Sequence, residues 1–188
     1  MNKLAIFASG NGSNAANIAK YLIGNSEIEV SLILSNKISA FVLERAANLH
    51  IPSLVFDRST FYNSEEVLKE LRDQDIDYIV LAGFMWLIPD YLLKAFADKI
   101  INIHPALLPK YGGKGMYGDF VHQAVHKAKD AETGITIHLV NEVYDDGEIL
   151  FQARVAVTAG DTPDDIATKV HELEYEHYPR VIEEFILR

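Results

Sequence analysis

A chain of 188 residues, 49% of them apolar, can bury one substantial core, and its length favours a single domain. A formal charge of −10 without a Lys/Arg cluster excludes a general nucleic-acid binder, although a pocket for one phosphate is compatible with it. The absence of cysteine excludes disulfides and thiolate metal sites, and the first apolar run is too short for a membrane span or a secretory core, so a cytoplasmic protein is expected.

That run, Leu4 to Ala8, ends at a Ser-Gly step, and Val30 to Leu34 and Tyr78 to Ala82 repeat the pattern. Each reads as a buried parallel strand. Between them lie segments with helical spacing. Asn14 to Tyr21 follows a Ser/Asn cap, Ala40 to Leu49 is in close helical register, and Ser64 to Leu71 sets Val67, Leu68 and Leu71 on one face. Strands alternating with helices predict an α/β fold with a mostly parallel sheet and right-handed crossovers. Lys99 to His104 is a further apolar run, stopped by Pro105.

Gly112 to Gly118 holds four glycines in seven residues and suits either a mobile flap over a site or a plain surface loop. His122 and His126 stand four apart, as metal ligands on a helix sometimes do, but Gln123 replaces the glutamate of the zinc-protease pattern and no third ligand is evident. No metal is expected. Ile135 to Val140 and Ile149 to Val157 alternate and are separated by an acidic turn, which predicts an antiparallel extension of the sheet. His138, within the first of these runs, reads as a packed or supporting residue. Thr162-Pro163-Asp164-Asp165 opens a long final helix through a capping box, and Pro179 is expected to kink or split it.

After the first strand comes Ser9-Gly10-Asn11-Gly12-Ser13-Asn14-Ala15, which fits the loose dinucleotide pattern and also makes a generic phosphate nest. A dinucleotide site needs an acidic residue ending the second strand, where this chain has Ser35-Asn36-Lys37. A phosphomonoester is therefore the preferred ligand, with simple chain reversal as the alternative.

Asn102 and His104 lie two apart on a strand end and point to one face. Asp145 and Asp146 close a later apolar segment on a short turn. If one carboxylate folds back toward His104, it raises the imidazole pKa and fixes its tautomer, giving a cation beside an amide that stabilises an oxygen gaining negative charge.

At these residues the chain resembles the phosphoribosylglycinamide formyltransferases, the folate-dependent enzymes of purine synthesis. The resemblance covers nearly the whole chain. It rests on Ser9-Gly10-Asn11-Gly12-Ser13-Asn14, Ser35-Asn36-Lys37, Ala82-Gly83-Phe84-Met85, Asn102-Ile103-His104-Pro105, Leu107-Leu108-Pro109-Lys110-Tyr111, Gly134-Ile135-Thr136-Ile137-His138, Asp145-Asp146-Gly147 and Gly160-Asp161-Thr162. The resemblance implies a Rossmann-like three-layer fold with helices on both faces of the sheet. It implies transfer of a formyl group from 10-formyltetrahydrofolate, as co-substrate, to the glycinamide amine of phosphoribosylglycinamide. Asn102, His104 and Asp145 then correspond to the catalytic trio, with His104 held protonated by Asp145. Gly12, Ser13 and Asn14 correspond to the phosphate cradle, and His171 and Glu174 to further contacts with that substrate. Met85, Trp86, Leu87 and Ile88, together with Asn102 and the segment Asn141, Glu142, Val143, Tyr144 and Asp145, correspond to the folate-binding walls. Many relatives carry an arginine where this chain has Trp86, and some have another near Ser64; Arg58 is the residue that can compensate. Partners are expected to be these small molecules, with no nucleic acid or membrane, in a monomer or homodimer. Alternatives are another folate-dependent formyltransferase of the same superfamily, or a non-catalytic phosphosugar-binding protein.

Overall fold

Alternation along the first strand sets up the layers. A computed structural model describes residues Met1–Arg188. In it β1 (Asn2–Phe7) sends Leu4 and Ile6 into one core and Ala5 and Phe7 into a second core on the opposite face, as the two-residue period of a strand requires.

The chain then runs through α1 (Ser13–Tyr21), β2 (Ile28–Ser35), α2 (Val42–Asn48), β3 (Ser53–Val55), α3 (Arg58–Asn63) and α4 (Glu66–Asp73) to β4 (Tyr78–Leu81). After these come α5 (Asp90–Ala95), β5 (Ile100–His104), α6 (Asp119–Ala128), β6 (Glu132–Leu139), β7 (Ile149–Ala156) and α7 (Pro163–Ile186). One seven-stranded sheet results, in the order β3-β2-β1-β4-β5-β6-β7. Pairing is parallel from β3 to β5 and antiparallel from β5 to β7, so the mostly parallel α/β sheet with an antiparallel extension is as the sequence predicted. Ile18 of α1, Val42 of α2, Val125 of α6 and Val170 of α7 pack on one face. Phe61 of α3, Leu68 of α4 and Leu92 of α5 pack on the other.

Besides α6, which the sequence raised only as the condition for His122 and His126 to share a face, three short elements were not foreseen. β3 has three residues, and α3 and α5 have six each, too few for a period to show. Ser64 does not open a helix but follows α3, its hydroxyl donating to the Thr60 carbonyl at 2.9 Å, and the next helix starts at Glu66.

The expected break at Pro179 does not occur, and α7 continues through it to Ile186. A proline lacks the N–H that would serve the carbonyl four residues earlier. Here that carbonyl belongs to Tyr175, and the Asn17 side-chain amide of α1 donates to it at 2.9 Å. At its other end α7 carries the predicted capping box, with the Thr162 hydroxyl accepting from the Asp165 N–H and the Asp165 carboxylate accepting from the Thr162 N–H.

Candidate active site

The chain leaves β1 toward β2 on one side and returns to β4 on the other, which opens a crevice beyond the carboxyl ends of these strands, where α/β sheets bind ligands. A cavity of about 550 Å³ lies there. The β1–α1 turn, the segment after β4, the end of β5, the glycine-rich loop, the acidic turn before β7 and the middle of α7 all line it.

The turn after β1 is fixed from two sides. The Val42 N–H donates to the Gly10 carbonyl at 3.1 Å, and Arg45 holds both the carbonyl and the side-chain oxygen of Asn11 at 2.8 Å. Gly12 has φ +72°, and a Cβ there would overlap Val42, so the turn needs glycine for both conformation and space. No side chain caps α1 and no acidic residue occupies its first turn. Its first N–H groups, at the positive end of the helix dipole, therefore suit an anion. Opposite, Glu174 is 5% exposed and its Oε2 accepts from Asn14 Nδ2 at 2.8 Å and from His171 Nδ1 at 2.9 Å. The hydrogen bond to Glu174 raises the His171 pKa above the ordinary histidine value despite burial.

Asn102 and His104, on β5, are joined by Asp145 from the acidic turn. Asp145 Oδ2 lies 3.5 Å from His104 Nδ1 and its Oδ1 lies 3.7 Å from His138 Nε2. The Gly113 N–H donates to Oδ2 at 2.9 Å. Burial pushes the Asp145 carboxyl upward, but His138, His104 and that N–H together hold it below the usual carboxylate range.

The tautomers follow from the acceptors. His138 Nδ1 is 2.8 Å from the Leu139 carbonyl, which only accepts, so Nδ1 carries the proton and Nε2 is bare. The Asn102 amide then donates to Nε2 at 3.1 Å, which fixes its orientation and leaves one N–H free. His138 is thus the supporting residue that its place in the strand suggested. His104 Nε2 lies 2.7 Å from the Tyr111 carbonyl and by the same argument bears a proton.

The expected cationic His104 is corrected. Burial pushes its pKa below the ordinary value of 6.5, outweighing the upward pulls of Asp145 and the Tyr111 carbonyl. At 3.5 Å the carboxylate is beyond a good hydrogen bond, and its Oδ2 is already engaged by Gly113. The resting ring is neutral at pH 7, with Nδ1 turned toward a carboxylate.

Met85, Trp86, Leu87 and Ile88 form an apolar wall, and Asn141, Val143, Tyr144 and Asp145 face them across the cavity. Phe56, Phe61, Tyr62 and Phe84 surround the Trp86 ring at centroid distances of 5.7–6.3 Å. Glu142 is the exception among the expected wall residues, being exposed and outside the cavity lining. His122 and His126 part company as well, since His122 is buried in the cavity wall and His126 is exposed. No group of three potential metal ligands forms. Met116 and Tyr117 of the Gly112 to Gly118 segment line the cavity, as the reading of that segment as cover for a site requires, whereas sequence reasoning missed Phe84 as a lining residue.

No helix is long and apolar enough to cross a membrane. The formyl transferase family profile matches residues 2–182. A phosphoribosylglycinamide formyltransferase of Bacillus subtilis is 38% identical over 99% of this chain and 95% of its own length. The chloroplastic phosphoribosylglycinamide formyltransferase of Arabidopsis thaliana is 42% identical over 96% of this chain, which spans 64% of that longer relative. The crystal structure of phosphoribosylglycinamide formyltransferase from Streptococcus pneumoniae superposes with a TM-score of 0.87 at 35% identity, covering 99% of both chains. With the sheet order and the cavity at its switch point, these likenesses show that the chain belongs to the formyl transferase family, among its phosphoribosylglycinamide formyltransferases.

Proposed function

We propose that the protein transfers the formyl group of 10-formyltetrahydrofolate to the primary amine of glycinamide ribonucleotide. The observation that carries this reading is the meeting, in one cavity, of an amide, an imidazole and a carboxylate between an anion-accepting helix start and an apolar wall. The 5-phosphate goes to the N–H groups of Gly12, Ser13 and Asn14, and Glu174 and His171 face the sugar. The pterin goes against Met85, Trp86, Leu87 and Ile88, with the backbone of Asn141 to Asp145 opposite.

This places the formyl carbon beside Asn102 and His104. The amine attacks it, forming the C–N bond and moving an electron pair onto the formyl oxygen, where the free N–H of Asn102 meets the new charge. The attacking amine must lose a proton. Nδ1 of His104 is bare and turned toward Asp145, so protonation there converts an unfavourable contact into an ion pair. The imidazolium so formed stabilises the oxyanion, and collapse returns the electron pair to carbon, breaks the bond to folate N10 and passes a proton to that nitrogen. The neutral resting ring thus serves as base before it serves as cation.

The test is formyl transfer itself, followed as the absorbance of the deformylated folate. Loss of one oxyanion donor typically costs about 10²- to 10³-fold in rate, so Asn102→Ala and His104→Ala should each fall at least that far in kcat/KM with the fold intact by circular dichroism. A fall below tenfold removes the residue from the mechanism. No turnover by the wild-type protein removes the function.

A further inference from the structure

Two polar atoms in the cavity wall are unpartnered. His122, on α6, is 2% exposed and its Nδ1 is sealed from solvent without a hydrogen bond; Asn14 Oδ1 is in the same condition. Buried polar groups are nearly always hydrogen-bonded, so an orphan on a cavity wall marks where a ligand atom belongs.

The surroundings define that atom. The His122 ring stands edge-on to His171 at 6.2 Å between centroids, and His171 is bonded to Glu174. Glu174 Oε2 already receives Asn14 and His171, which leaves Oε1 to the cavity. A buried carboxylate repels a phosphate, and the phosphate has its own place at the start of α1. Two acceptors, Glu174 Oε1 and Asn14 Oδ1, beside an imidazole nitrogen match hydroxyl groups, each of which both donates and accepts.

We infer that His122 is a substrate-binding residue that contacts a ribose hydroxyl of the phosphorylated substrate, alongside Glu174 and Asn14. The inference rests on the glycinamide ribonucleotide reading above. Burial, helped by His171 and opposed by Glu174, holds the His122 pKa below the ordinary histidine value, and a neutral ring suits a hydroxyl better than an anion. α6 follows the glycine-rich loop directly, so the same segment that supplies the Asp145 contact through Gly113 also carries His122 to the sugar.

The experiment is calorimetric titration of glycinamide ribonucleotide, and of an analogue lacking the ribose hydroxyls, into wild-type protein and His122→Phe. Removing one hydrogen bond of this kind should weaken the ribonucleotide about tenfold, while the deoxygenated analogue binds both proteins equally. His122→Gln, which keeps a donor and an acceptor, should recover part of the loss. The melting temperature of His122→Phe should not fall, since the variant deletes an orphan and not a bonded group; His122→Leu enters the same comparison if His122→Phe does not fold. Equal affinity of wild type and variant for the ribonucleotide overturns the inference, as does an equal loss with the deoxygenated analogue. Wild-type protein that binds the ribonucleotide without transferring formyl refutes the reaction and leaves the hydroxyl contact standing, whereas failure to bind it refutes both.

Discussion

In the proposed mechanism His104 accepts a proton and then holds charge, and its surroundings set the order of the two. Its ring is 4% exposed, and burial lowers its pKa further than Asp145 raises it. Strand alternation put Asn102 and His104 on one face and the family resemblance supplied Asp145, but charge state depends on burial, which no spacing reports. The consequence is a pH dependence of definite sign. If the neutral ring is the base, activity is lost as pH falls through the His104 pKa, which lies below 6.5. A ring that had to start protonated would lose activity as pH rises. The substrate amine titrates separately, near about 8 as α-amino groups do. A plot of log kcat/KM against pH should therefore steepen from a slope of one to two below about pH 6.5. His104→Gln should keep only the amine's slope of one at its lower rate. A wild-type profile that keeps slope one at every acid pH where the fold is retained would contradict the base role.

At the scale of elements, α7 joins the site to the sheet. Tyr178 is fully buried, and its hydroxyl lies 2.9 Å from the Leu81 carbonyl at the end of β4 and 3.2 Å from the Ile101 carbonyl of β5. One helical turn earlier is Glu174, so the ring that anchors the helix also sets where its carboxylate meets Asn14. Tyr178→Phe should lower stability by about 1–2 kcal/mol, by removing the donor from a buried acceptor. Urea unfolding would check this, with an unchanged m-value showing that the native state is otherwise kept. The long elements of this layer were legible, and the capping box at Thr162 marked where α7 begins; the Ser/Asn cap expected for α1 is not there, because Gly12 takes the cap position and no side chain bonds the first turn. The continuity of α7 through Pro179 was not, because it depends on Asn17, a residue 158 positions away whose amide serves the Tyr175 carbonyl. Short elements were also hidden. α3 is capped by Asp57, whose side chain accepts from the Thr60 N–H at 2.8 Å, yet a six-residue helix shows less than two turns of periodicity.

Across the whole molecule, the proposed reaction asks an acidic protein to collect two anionic substrates, a phosphate ester and a folate ending in carboxylate. With a formal charge of −10, attraction has to be local. The phosphate end has the α1 dipole and the nearby Arg45. At the folate end the wall residue Trp86 carries no charge, and the structure sets a cation beside it: the Arg58 guanidinium lies 5.7 Å from the Trp86 ring and 5.1 Å from the Tyr62 ring. Two aromatic faces hold an otherwise exposed side chain at the edge of the apolar wall. We propose that Arg58 meets the acidic tail of the donor where that tail leaves the cavity. An exposed ion pair contributes about 0.2–1 kcal/mol, which corresponds to roughly 1.4- to 5-fold in affinity. Arg58→Gln should therefore raise KM for 10-formyltetrahydrofolate by a few fold, leave kcat and the KM for the ribonucleotide unchanged, and lose its effect at 1 M salt, where the Debye length falls to about 3 Å. The effect should grow when the donor carries additional glutamates, because each adds a carboxylate within reach of the same cation. Equal KM values for wild type and Arg58→Gln with a polyglutamated donor at low salt would show that the tail leaves the cavity by another route.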